Sequence, residues 1–228
     1  MNKIPVIIDC DPGTDDTMAL ILANKIENFD LLAVTTVAGN VICDYTFQNA
    51  RNVLSYIGAE HVPVYKGAAK PMMRELKTAP HVHGVDGLAG VELPQSNAPV
   101  ETEAAWDAIY RIAKEQNGEL VLIAVGPMTN VALALTKYND LPKYIKRIVI
   151  MGGAAIGGNV TPAAEFNIYV DPEAAELMFT SGIPIVMCGL DVTMKAYLTD
   201  AEIERIGSMG SKEAKLFHDV EQKALGFY

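Results

Sequence analysis

The chain has little histidine and less cysteine, four and three residues in 228. Cys10, Cys43 and Cys188 lie far apart, which excludes a disulfide framework and a cysteine metal site and fits a reducing cytoplasm. Basic residues are scarce as well. Eighteen Lys and Arg stand against 28 Asp and Glu, a net charge of −10. No basic stripe is there to track phosphates, so no nucleic-acid partner is expected. A neutral or cationic ligand suits this balance better than a polyanion. No apolar run reaches the length of a membrane span and no secretory leader precedes the first strand-like run, so no membrane partner is expected. Low-complexity tracts and internal repeats are also missing. These absences point to an ordinary soluble, cytoplasmic globular protein.

What is present is a chain that is 50% hydrophobic, long enough to bury a sizeable core in one domain over 1–228. Short β-branched runs alternate with segments of helical spacing. Strands are expected over 4–9, 31–37, 62–65, 120–125, 147–151 and 184–188. Helices are expected over 15–26, from Phe47 to Ile57, over 103–114, from Met128 to Leu135, and over 173–179, 198–206 and 212–225. Such alternation builds right-handed βαβ units and an open, mainly parallel β-sheet flanked by helices, an α/β fold. Ligands of open sheets bind where the carboxyl ends of strands meet their loops. Asp9 and Asp11, Gly39-Asn40, Val125-Gly126, the glycines from Gly152 and Gly189-Asp191 all fall at such ends.

The densest chemistry lies in Asp9-Cys10-Asp11-Pro12-Gly13-Thr14-Asp15-Asp16, between the first strand and the first helix. Four carboxylates crowded at a partly buried junction repel one another by several kcal/mol. A hard divalent cation held by oxygens relieves that repulsion. A helix start welcomes Asp15 or Asp16 as a cap or dipole partner, but that leaves Asp9 and Asp11 unexplained at the end of an apolar strand. An EF-hand loop beginning at Asp9 would need glycine and glutamate where Thr14 and Leu20 stand.

Other candidates are weaker on sequence alone. Asn40 reads equally as a turn residue or a ligand. His81 and His83 have no third nitrogen or sulfur ligand nearby, so a zinc site is not expected. The glycines after Met151 do not fall as a dinucleotide fingerprint. Glu165 and Asn167 can share one side of an extended segment and offer a carboxylate and an amide to hydroxyls, or simply form a polar loop. Asp171 before Pro172 reads as a helix cap.

Asp-x-Asp-Pro-Gly-x-Asp-Asp after an N-terminal strand, followed by Asn159-x-x-x-x-Ala164-Glu165-Phe166-Asn167, resembles the inosine–uridine-preferring nucleoside hydrolases. That resemblance implies a calcium-dependent cleavage of the N-glycosidic bond of ribonucleosides. It implies calcium ligation by Asp11, Asp16 and the carbonyl of Val125, with Asp11 as general base and Asp9 supporting the ligands from behind. Asp15, Asn40, His83, Met151, Asn159, Glu165, Phe166 and Asn167 would contact the ribonucleoside. A homo-oligomer, dimer or tetramer, is implied too.

The family also carries a later His-Asp pair that supplies a calcium ligand and a histidine near the leaving base. The only His-Asp here, His218-Asp219, sits in an amphipathic pattern and reads as exposed helix surface. The chain therefore looks truncated at its carboxyl end, and the rival reading is a relic that binds ribose or calcium or serves as an interaction protein. A metal-dependent phosphohydrolase is a third reading, disfavoured because no lysine and hydroxyl pair stands beside the aspartates.

Overall fold

Strand β1 (Ile4–Cys10) has no polar alternation and is buried on both faces from Val6 onward. Such a strand belongs at the centre of a sheet covered on both sides. In the computed structural model, which describes residues 3–225, it lies between β2 (Phe29–Thr36) and β4 (Leu120–Ala124). With β3 (Val64–Lys66), β5 (Ile145–Met151) and β6 (Ile185–Cys188) they form a six-stranded sheet in the order β3-β2-β1-β4-β5-β6. Every pairing in it is parallel.

The connections carry α1 (Thr14–Lys25), α2 (Cys43–Tyr56), α3 (Pro80–His83), α4 (Ala105–Gln116), α5 (Thr129–Lys137), α6 (Phe166–Val170) and α7 (Pro172–Phe179). After β6 come α8 (Leu190–Thr193), α9 (Asp200–Gly207) and α10 (Lys212–Ala224). Alternation along β1 divides the core in two. Ile7 packs with Leu122, Ile148 and Ile150 beneath Ile109, Val131 and Met178 of α4, α5 and α7. Val6, Ile8 and Cys10 face the other way, toward Leu20, Leu54 and Val220 of α1, α2 and α10.

The direction of chain growth reverses beside β1. Chain order runs outward through β2 and β3, then returns to β4 on the other flank and proceeds to β6. The crevice between the carboxyl ends of β1 and β4 is thus the topological switch point, where open sheets of this class bind ligands.

Two local expectations are corrected. The third strand occupies Val64–Lys66 rather than 62–65. The stretch holding Glu165 and Asn167 is not extended: Phe166–Val170 is a helical turn with Glu165 as its N-cap, its side chain accepting from the Asn167 and Ile168 amides. A carboxylate that satisfies two free amides at a helix start outweighs the weak helical preference of the residues behind it.

Candidate active site

The aspartate stretch folds as strand, turn and helix. Asp9 and Asp11 are buried at the end of β1, while Gly13 carries the chain into α1. Asp16, also buried, accepts from the Gly13 amide through Oδ2 at 3.0 Å. It therefore supports the helix start as well as facing its neighbours. Asp15 points outward, its side chain 70% exposed.

Asn40 follows β2 and closes over the cluster. Its amide donates to Asp11 Oδ2 at 2.7 Å, and its Nδ2 donates to the Asp11 carbonyl at 3.1 Å and to Asp16 Oδ2 at 3.2 Å. Asp9 is held separately: its Oδ1 accepts from Thr35 Oγ1 at 2.6 Å and from Asn130 Nδ2 at 2.7 Å. Among the described residues, Asp9 Oδ2 and Asp16 Oδ1 are buried oxygens with no hydrogen-bond partner.

The electrostatics follow from this crowding. Burial pushes the Asp9 carboxyl up to about 7, against the lowering effect of Asn130 and Thr35. Asp11 is raised well above the usual carboxylate range, first by burial and then by the charge of Asp16. Asp16 is raised by burial and by Asp15. The buried Cys10 thiol is pushed up by burial and then by Asp16, Asp9 and Asp11, so the same negative field reaches it too. No positive side chain offsets this field within ion-pair distance of Asp9, Asp11 or Asp16 among the described residues.

Backbone approaches from two sides make room for Asp11. A Cβ built on Gly39 would lie 2.1 Å from Asp11 Oδ2, and one on Gly126 would lie 2.6 Å from Asp11 Oδ1. Gly126 also places Val125 beside the cluster. The Val125 carbonyl accepts from Asn167 Nδ2 at 2.8 Å, and the same amide reaches the Met151 carbonyl at 3.0 Å. Glu165 is buried, and its carboxylate accepts from the Gly153, Asn167 and Ile168 amides. Asn159 is exposed and accepts from the Phe166 amide at 3.0 Å.

The residues picked out from the sequence thus fall into two hydrogen-bonded groups, Asp11, Asp16 and Asn40 at the ends of β1 and β2, and Val125, Met151, Glu165 and Asn167 at the ends of β4 and β5. His83 meets the start of α1 from α3, with Nδ1 3.2 Å from Thr14 Oγ1, 3.3 Å from the Thr14 amide and 4.0 Å from Asp15. Burial lowers its pKa, offset in part by Asp15. His61 and His81 are exposed. Asp171 caps α7, as its position before proline implied. His218 and Asp219 lie on α10, paired with Glu204 and Lys215.

The donors suit a hard cation. No group of three or more His, Cys, Asp or Glu side chains among the described residues forms a metal-holding cluster. Asp11 and Asp16 are instead bridged by Asn40, and both offer only oxygen, one of them the orphaned Oδ1 of Asp16. Calcium accepts such a partial set when water and ligand hydroxyls complete its shell. Sequence reading missed Asn130, Thr35 and Asn49. Asn49 pins the loop after His83 to the aspartate turn, donating to the carbonyls of Pro12 at 3.1 Å and Asp86 at 2.7 Å. Single asparagines inside helical patterns carry no local signal of this kind.

An open parallel sheet with an acidic, oxygen-rich switch point defines a class of ligand-binding α/β proteins, and the comparisons place the chain within it. Residues 6–228 match the model of the inosine-uridine preferring nucleoside hydrolases, and the chain belongs to that family. It is 48% identical over 211 residues to a pyrimidine-specific ribonucleoside hydrolase RihA of Shewanella sp. (strain MR-7), covering 92% of this chain and 66% of that protein. The corresponding protein of Photobacterium profundum is 47% identical, with 93% and 68% covered. The chain therefore spans about two thirds of the length of these curated relatives. Among solved structures, a plant nucleoside hydrolase superposes with a TM-score of 0.94 at 37% identity, covering 98% of this chain and 71% of that one. A purine-preferring ribonucleoside hydrolase from Gardnerella vaginalis gives 0.95 at 35% identity, with 98% and 72% covered.

Proposed function

We propose that the chain hydrolyses the N-glycosidic bond of ribonucleosides, releasing ribose and free base, with calcium as its cofactor. The observation that carries this reading is the trio of buried carboxylates Asp9, Asp11 and Asp16 at the switch point, with no cationic side chain paired to them among the described residues. Family membership supports a metal-dependent hydrolase, and the all-oxygen donor set supports calcium.

Cleavage passes through an oxocarbenium-like sugar, so the site needs an activated water and a firm hold on the ribose. Asp11, Asp16 and the Val125 carbonyl are the residues that would hold the cation. When bound, it offsets their mutual repulsion and acidifies water at the site. Asp11, its carboxylate fixed by the Asn40 amide, would take a proton from the attacking water as general base. Asp9 supports the ligand carboxylates from behind. Asp15 at the mouth, with Asn40, Asn159, Glu165 and Asn167, positions the ribose hydroxyls. Met151, Phe166 and His83 flank the sugar and base. This grip is remote from the breaking bond and is spent on reaching the transition state. No covalent nucleophile is needed.

Pyrimidine ribonucleosides lead as substrates, because the RihA relatives near 48% identity carry that specificity. The reading extends to a single-domain cytoplasmic homo-oligomer, dimer or tetramer, without nucleic-acid or membrane partners. The net charge of −10 supports the lack of a nucleic-acid partner, and no helix among the described residues is long and apolar enough to cross a membrane. The test is ribose release from uridine, cytidine and inosine, with calcium and with a chelator. Release that needs calcium is expected. No release from any nucleoside, or release indifferent to the chelator, overturns the proposal.

A further inference from the structure

Asn130, in the first turn of α5, is fully buried and uses its whole amide. Its Nδ2 donates to Asp9 Oδ1 at 2.7 Å and to the Thr36 carbonyl at 3.0 Å, and its Oδ1 accepts from the Ala68 amide at 2.9 Å. One side chain thus ties together the ends of β1 and β2 and the loop after β3. The chain leaves a slot for it: a Cβ on Gly67 would lie 2.2 Å from Asn130 Oδ1 and 2.3 Å from the Thr36 carbonyl.

Asn130 and Thr35 both donate to the same oxygen of Asp9. That fixes the plane of the carboxylate and leaves Oδ2 as the acceptor with no protein partner. Ile7 and Asp9, two residues apart in β1, project to the face that α5 covers. A fully buried carboxylate there is costly. Tying loops together needs only the bonds to Thr36 and Ala68, and those do not account for the acid.

Resting on the reading above, we infer that Asn130 is a positioning residue for the cation site, acting through Asp9 on the ligands Asp11 and Asp16. Partners of this kind behind metal ligands typically govern affinity by about 10–100-fold. The substitution N130D removes the donor and sets a second carboxylate against Asp9. Calcium affinity, measured by titration calorimetry on the whole chain, is expected to fall about tenfold or more, with kcat reduced and the KM for uridine changed less than about twofold. Adding D9N to N130D places an amide opposite a carboxylate again, and part of the lost affinity is expected to return. T35V removes the other donor to Asp9 without touching the bonds to Thr36 and Ala68, and is expected to weaken calcium in the same direction.

A variant N130D that melts earlier yet binds calcium like the parent overturns the inference and assigns Asn130 to loop tying alone. T35V with parental affinity overturns it as well, even if N130D does not fold. A parent chain that binds no calcium removes both this inference and the proposed function, whereas a calcium-binding parent with an unaffected N130D removes the inference only.

Discussion

The amide of Asn40 donates to Asp11 Oδ2 at 2.7 Å, binding the loop after β2 to the end of β1. This bond orients one oxygen of Asp11 and turns the other toward Gly126. It stabilises the ionised form, yet burial and the charge of Asp16 outweigh it, and the carboxyl stays well above its ordinary range. The site is thus built against its own charge, and its behaviour depends on what neutralises it.

Asp11→Asn is expected to separate function from stability. The amide keeps an oxygen for the Asn40 amide but gives up the charge and the base, so ribose release falls by roughly 10²–10⁴-fold. Relief of buried repulsion raises Tm in chelator, by about 2–4 °C for each kcal/mol gained. Parental activity together with a lowered Tm would contradict both roles.

Stability of the chelated chain is expected to fall as pH rises. The Asp9 carboxyl is raised to about 7, and those of Asp11 and Asp16 are held well above the ordinary carboxylate range by burial and neighbouring charge. A carboxyl whose folded pKa lies above its unfolded value binds more protons when folded. Its contribution is present below the unfolded value and lost as pH climbs through the folded one. Thermal melts in chelator should therefore give a higher Tm at pH 5 than at pH 8. Saturating calcium, which binds the deprotonated carboxylates, is expected to reverse that order. A chelated chain that is most stable at pH 8 would refute the assignment of buried, uncompensated acids.

Gly126→Ala tests the close approach at the switch point. The added Cβ falls 2.6 Å from Asp11 Oδ1 and 3.0 Å from the Asp11 amide nitrogen, so the carboxylate must move. Calcium affinity should drop by about tenfold, as when a ligand's support is lost, while far-UV circular dichroism stays unchanged. Parental affinity would mean that Asp11 has freedom the geometry denies it.

Asp171→Ala serves as the contrasting case. This buried carboxylate accepts from Thr129 Oγ1 at 2.7 Å, the Met72 amide at 2.9 Å and the Ala174 amide at 3.1 Å. Losing it leaves three donors unmet and should cost roughly 3 kcal/mol in denaturant melts. Calcium affinity should change little. A large affinity loss with unaltered stability would move Asp171 from scaffold to site.

Much of this was readable along the chain. An apolar β-branched run ending in Asp9, a Pro-Gly turn and the start of a helical pattern at Asp15 and Asp16 are local features, and local periodicity dictates them. The alternation of runs announced the sheet for the same reason. Where local signals compete, the pattern misleads: Glu165 and Asn167 fit an extended segment because the amides that Glu165 caps leave no trace in side-chain periodicity.

The sequence by itself determined the elements, the acidic turn and the negative balance that calls for a cation. Only the tertiary structure decided what surrounds Asp9, because Thr35 and Asn130 lie 26 and 121 residues away and reach it only once β2 and β4 flank β1. Strand order is fixed by which apolar faces bury together, a sum over the whole core, and the position of the switch point follows from that sum rather than from any one motif.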